Sequence, residues 1–137
     1  MVRIELLSWQ QAEPVAAPIR FSIFVDEQQA AGIELDDLDK QSVHAIAYDD
    51  GKAIGTARLL PDGQIGRMAV LKDWRRRGIG AALVEALINE ARKRGHADVR
   101  ISAPLQALEF YRSQGFAADG KVQKVGGVLQ QAMRKAL

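Results

Sequence analysis

The sequence predicts one α/β domain of the α+β type: a mixed, mostly antiparallel sheet of six to seven strands with helices on both faces. Short alternating segments, separated by tight-turn signals, fill the first half as hairpins require. From Ile65 to Leu87 the order is strand, basic turn, two glycines, helix, after which alternation resumes beyond Gly95. A hydrophobic content of 47% against 26% charged residues belongs to a globular chain. At 137 residues there is material for one core and not for two, so residues 1–137 read as a single domain.

Val2 to Leu7 places Val2, Ile4 and Leu6 on one face and reads as the first strand. Glu13 to Gln28 reads as a helix in which Pro14 stands near the start, whereas Pro18 would kink or restart it. Ala30 to Lys40 is an acidic connection with Glu34, Asp36, Asp37 and Asp39; it is either a solvated loop or a wall that attracts a protonated amine. Val43 to Tyr48 and Lys52 to Leu60 flank the hairpin signal Asp49-Asp50-Gly51. Pro61-Asp62-Gly63 turns the chain into a third antiparallel strand, Ile65 to Leu71. The helix from Gly78 to about Arg94 aligns Ile79, Leu83, Leu87 and Ala91, and Gly95 closes it. Ala97 to Ala103 is the next strand, and a strand–helix–strand crossover implies a parallel pair with an open end. Pro104 opens a short helix, Leu105 to Ser113, capped by Gly115. Phe116 to Ala118 and Val128 to Lys135 make a last hairpin joined by Gly120 to Gly127.

The stretch around Gly78 wants an anion. Backbone N–H groups at a helix N-terminus have no intrahelical partner, and the helix dipole adds positive charge there. Glycine permits close approach of a phosphate. A P-loop is excluded because no Gly-Lys is followed by Ser or Thr, and Leu83 stands where a dinucleotide fingerprint needs Gly or Ala. What remains is Arg75-x-x-Gly78-x-Gly80, with Arg76 and Arg77 inside it. A basic surface turn touching nucleic acid, with Trp74 stacking, is disfavoured by a net charge of only +2.

This turn resembles the signature of the GNAT superfamily of acyl-CoA N-acyltransferases, Gln/Arg-x-x-Gly-x-Gly/Ala after a strand and before a helix. Met68-Ala69-Val70 sits where that family has the strand that pairs with the pantetheine arm. Phe110-Tyr111 with Gly115-Phe116 matches its later Phe-Tyr-x-x-x-Gly-Phe segment. Arg20 to Gln28 and Glu34 to Asp39 are similar to the ElaA-like branch of small bacterial members. The resemblance implies a sheet splayed between its fourth and fifth strands. It also implies acetyl-CoA as cosubstrate, held by Met68, Ala69, Val70, Arg75, Arg76, Arg77, Gly78, Ile79, Gly80, Ala81 and Tyr111. A bulge at Met68 to Val70 would free a backbone N–H for the developing oxyanion. Tyr111 would protonate the leaving thiolate. Glu27 is the first candidate for general base and His44 the second. The branch usually carries Gln where Pro104 stands and His where Gln130 stands, so the acceptor does not carry over. The implied activity is direct acyl transfer to a primary amine of a small molecule or peptide; the alternative is a non-catalytic acyl-CoA-binding module on the same fold.

The absence of cysteine removes disulfides and a covalent thiol intermediate, and two histidines are poor material for a metal site. With no long apolar run and no leader pattern, a cytoplasmic protein away from membranes is expected. Residues 1–68 hold 6 Lys/Arg against 11 Asp/Glu, and residues 69–137 hold 13 against 6. That division suits a cationic acceptor and a polyanionic cosubstrate, or is charge clustering on solvated faces. An exposed final strand would allow a homodimer.

Overall fold

In this computed structural model seven strands among the described residues form two sheets that meet at a single point. The structure describes residues 1–27, 36–125 and 127–137, of which 25–27 by backbone alone. The strands are β1 (Val2–Leu7), β2 (Val43–Asp49), β3 (Lys52–Leu59), β4 (Ile65–Val70), β5 (Asp98–Pro104), β6 (Ala117–Val125) and β7 (Val128–Ala136). The first sheet is antiparallel with order β1-β2-β3-β4, and the second is antiparallel with order β5-β7-β6. The crossover from β4 to β5 is parallel, as expected, but an isolated bridge between Gln64 and Arg100 is all the pairing it makes. Beyond that bridge β4 and β5 belong to different sheets, and β4 is the edge of the first.

Hairpin chemistry explains the first sheet. Asp50 and Gly51 both take left-handed backbone, φ 48° and 85°, as a two-residue turn matching strand twist requires. β1 is less buried than its alternation promised, with Val2 and Leu6 each 39% exposed at the sheet's outer edge. The helix α2 (Ile79–Lys93) covers one face. Ile79, Leu83, Leu87 and Ala91 are all buried, and a side chain on Gly55 would strike Leu83 and Ile79.

The other face is covered by α1 (Trp9–Arg20), which starts four residues earlier than expected and contains both Pro14 and Pro18. From Phe21 to Glu27 the chain continues as a π-helix. A proline gives no N–H to the preceding turn, so the ladder here has gaps, and wider hydrogen bonding takes over after Pro18. Ala12 and Ala16 pack on Ile46, while Ile19, Ile23 and Phe24 pack around Ala69.

Three expectations need correction. Pro104 ends β5; a 3-10 turn, Leu105–Ala107, precedes the short helix α3 (Leu108–Ser113). The Gly120–Gly127 connection is mostly strand: β6 and β7 run nine residues each, with a register shift at Ala118/Val122. The exposed edge is therefore β6, since the final strand β7 lies in the middle of its sheet.

Candidate functional site

Strand β4 carries the site because its two ends are irregular for identifiable reasons. Two residues, Arg67 and Met68, stand between the pairs Gly66–Arg58 and Ala69–Thr56, where β3 has only Ala57. Arg67 absorbs the extra residue with left-handed backbone, φ 48°. The bulge thus begins one residue before the Met68–Val70 stretch. At the far end, Arg75 Nε donates to the Val70 carbonyl at 2.9 Å, tying the basic turn back to the strand it leaves.

That turn takes left-handed backbone at Arg76 (φ 62°) and Gly78 (φ 78°), then opens α2. No side chain caps the helix, and its first backbone bond runs from Ala82 N–H to the Gly78 carbonyl. The N–H groups of Ile79, Gly80 and Ala81 precede that bond, so the ladder does not use them. Arg76 and Arg77 are exposed beside them, and the space over Gly78 is open. These features fit a pyrophosphate. Gly80 differs: a Cβ there would stand 3.3 Å from Phe110 Cζ and 3.8 Å from Met68 Sδ. A side chain there would press on Phe110, so the bare Cα lets α2 lie close against α3 and β4. Trp74 is engaged as well, donating to Asp49 and lying under the Lys52 ammonium.

Tyr111 is 4% exposed, with its ring edge-on to Phe110 and Phe116. Burial pushes its phenol well up, so the group stays protonated at ordinary pH. Among the described residues no hydrogen bond satisfies its hydroxyl. The Glu27 backbone closes the π-helix, and its carboxylate lies outside the described side chains. Gln130 stands opposite Pro104 across β5 and β7 and accepts from Ser102 at 2.6 Å, so the two departures from the family pattern are neighbours.

The acidic connection resolves into something the sequence reading did not contain; its part before Asp36 lies outside the described residues. Asp36 caps a 3-10 turn, Asp37–Gln41, and reaches back to β3 and β4. Asp39, 1% exposed, accepts from Arg20 at 2.8 and 2.9 Å and from Arg58 at 3.0 Å. Asp36 accepts from Arg58 at 2.6 and 3.0 Å and from Arg67 at 3.0 Å. His44 is fully buried, with Nε2 at 2.8 Å from the Asp39 carbonyl and Nδ1 at 3.4 Å from Arg20. Arginine only donates, so Nδ1 accepts and the neutral Nε2–H tautomer donates to the carbonyl. Burial lowers this imidazole's pKa, which removes His44 from the reckoning as a surface general base. Asp39 is therefore shut off from solvent, and both carboxylates are engaged by arginines of the fold. The signals were present: Arg58 lies mid-strand between Ala57 and Leu59, Arg20 lies between Ile19 and Phe21, and Asp36-x-x-Asp39 has one-turn spacing.

The geometry agrees with comparison. Residues 11–137 match the acetyltransferase (GNAT) domain model, and the chain belongs to that family. A Bacillus subtilis protein named as the uncharacterized N-acetyltransferase YjcF is 34% identical over 102 residues, 72% of this chain and 73% of that one. A solved acyl-CoA N-acyltransferase from Pseudomonas aeruginosa superposes with a TM-score of 0.88 at 25% identity, over 99% of this chain and 100% of that one. Escherichia coli ElaA shares the fold with a TM-score of 0.87 at 21% identity, over 98% and 99% of the two chains.

Proposed function

We propose that residues 1–137 act as one N-acetyltransferase domain that moves an acetyl group from acetyl-CoA to a primary amine by direct attack. The observation that carries this is the uncapped N-terminus of α2, opening beside exposed Arg76 and Arg77 at the edge of a strand left without a full partner. In this reading the N–H groups of Ile79, Gly80 and Ala81 hold the pyrophosphate, and Arg76 and Arg77 add charge-assisted contacts. Arg75 contributes through Val70, whose carbonyl it holds. The pantetheine arm pairs along Met68, Ala69 and Val70, and a backbone N–H there stabilises the oxyanion. The amine forms a C–N bond as the C–S bond breaks. A base, for which Glu27 is the candidate, takes the amine's proton, and Tyr111 gives one to the thiolate. No helix among the described residues is long and apolar enough to cross a membrane, which suits our placing of the protein in the cytoplasm. We infer no nucleic-acid partner, and a homodimer would form through the exposed β6 edge.

The test is a parallel calorimetric titration with acetyl-CoA, CoA, NAD and ATP, followed by free-thiol detection with Tyr111→Phe beside the wild type. Selective binding of the CoA species is expected. Removing the hydroxyl should lower kcat by roughly 10²–10⁴-fold. Since that hydroxyl has no partner, melting should hardly move. Equal loss of affinity and rate would make Tyr111 a packing residue only.

A further inference from the structure

The bulge in β4 is held from outside the sheet. Of the three non-glycine residues with left-handed backbone among those described, Asp50 and Arg76 sit in turns, whereas Arg67 sits inside a strand. An arginine adopts that backbone only when its surroundings hold it there. The register shows what depends on it. Thr56 pairs with Ala69 because Arg67 and Met68 share the place opposite Ala57. Without the extra residue Met68 would pair with Thr56, and each residue from Met68 onward would turn to the other face, its N–H reversing with its side chain. Met68 would leave the core under α2, and Ala69 would leave Ile19, Ile23 and Phe24.

One carboxylate closes on the bulge from both strands. Asp36 Oδ1 and Oδ2 accept from Arg58 Nη1 and Nη2 at 2.6 and 3.0 Å, a fork that fixes both partners. Its Oδ2 also accepts from Arg67 Nη2 at 3.0 Å. Arg58 is the β3 residue paired with Gly66, where the regular ladder stops, and Arg67 is the next residue of β4. Asp36 is itself held by the Leu38 N–H at 3.0 Å and by its capping box with Asp39. Asp39 works elsewhere: it joins Arg20 of α1 to Arg58, and among the described residues it makes no hydrogen bond to β4. The Asp36 and Arg67 side chains are each 28% exposed, so their bond lies at the margin of the buried network and can be altered without opening the core.

We propose that Asp36 is a positioning residue for acyl transfer: it clamps Arg58 to Arg67, fixes the bulge and so aims the N–H groups of Met68 to Val70. This rests on the acyltransfer reading above, in which one of those N–H groups meets the oxyanion. Asp36 acts through β4 and not on the reacting atoms. A donor stabilises a developing charge well only if its direction is set beforehand, and an N–H on a strand free to slip its register loses that advantage. The acidic connection thereby gains a task. Its carboxylate at Asp36 reaches from outside the sheet to the strand that carries the site.

The test measures thiol release from acetyl-CoA with L-amino acids, polyamines, aminoglycosides and lysine peptides, beside CoA titrations, for wild type and Asp36→Asn. Asparagine keeps the shape and gives up the charge that the two guanidinium groups share. Its kcat should fall by roughly 10²-fold, while CoA affinity, set mainly at the α2 turn, should fall far less. Two double variants separate backbone from charge. Glycine holds a left-handed φ unaided, so Asp36→Asn with Arg67→Gly should regain much of the lost kcat. Asp36→Asn with Arg67→Gln removes the same cation and should regain none. An unchanged kcat in Asp36→Asn, an equal loss of rate and CoA affinity, or equal kcat in the two double variants overturns the proposal while acyltransfer stands. If Asp36→Asn does not fold, the single variants Arg67→Gly and Arg67→Gln decide: glycine should be the faster, and equal rates overturn the clamp. If wild-type protein releases no thiol with any of these amines, acyltransfer fails instead. Backbone amide NMR then reads the clamp directly: shifts in Asp36→Asn centred on Gly66 to Val70 support it, and their absence there overturns it.

Discussion

The two faces of β4 carry the same sign of charge and use it in opposite ways. On the α2 side, Arg76 and Arg77 stand in water beside backbone N–H groups that no side chain caps. On the α1 side, Arg20, Arg58 and Arg67 are turned inward onto Asp36 and Asp39. Exposed guanidinium groups are cheap to hold and weakly directed. Buried ones are expensive, and every hydrogen bond they make fixes an orientation. The first group therefore stays available to a ligand, whereas the second is tied to the protein's own carboxylates.

The largest test of that contrast is Asp39→Asn, which removes the charge that two buried guanidinium groups share. Breaking a buried pair from one side costs about 3–5 kcal/mol. Urea unfolding should register a loss of that order, whereas Arg76→Gln or Arg77→Gln, each at an exposed position, should stay within about 0.5 kcal/mol. An Asp39→Asn protein as stable as wild type would mean that the network is solvated after all.

A smaller effect separates the two glycines. Gly80→Val would drive branched methyls toward Phe110 and Met68, and overpacking of that kind costs about 1–3 kcal/mol. Gly78→Ala meets no atom within 4 Å, but it must hold φ near 78°, a strain of about 1–2 kcal/mol. Its methyl enters the space before the helix N-terminus, so acetyl-CoA affinity should fall more than stability does. Should Gly80→Val instead melt like wild type while losing CoA, its bare Cα serves the ligand and not the packing.

The two faces were also unequally legible. The α2 face announces itself locally, because Arg75-x-x-Gly78-x-Gly80 and the stripe from Ile79 to Ala91 lie within 17 consecutive residues. The α1 face joins Arg20, Asp36, Asp39, His44, Arg58 and Arg67, which only the completed sheet brings together. Charge runs are usually solvated, and the one-turn spacing of Asp36 and Asp39 does not say which arginines they meet, while Asp37 between them stays exposed. The bulge was expected in β4, but its position at Arg67 depends on how β3 is paired. Likewise, Pro14 and Pro18 inside α1 are tolerated because packing on Ile46 and Ala69 supports the helix, a tertiary effect that propensity does not contain.

The finest test is pH, since the α1 face holds groups whose protonation opposes folding. His44 has a folded pKa below its ordinary value of 6.5, chiefly through burial, so the unfolded chain takes up a proton that the fold refuses. The His44 contribution is fully present above about 6.5 and is lost as pH falls below it. Asp36 is held at about 2 against 3.8, first by the hydrogen bond from Arg58, so its contribution is present above 3.8 and fades as pH falls toward 2. Unfolding free energy plotted against pH should thus decline in two windows, one beginning near neutrality and one in strong acid. His44→Gln should flatten the first and leave the second. If the upper window survives His44→Gln, the proton goes elsewhere, and His44 does not face the arginines as a neutral ring.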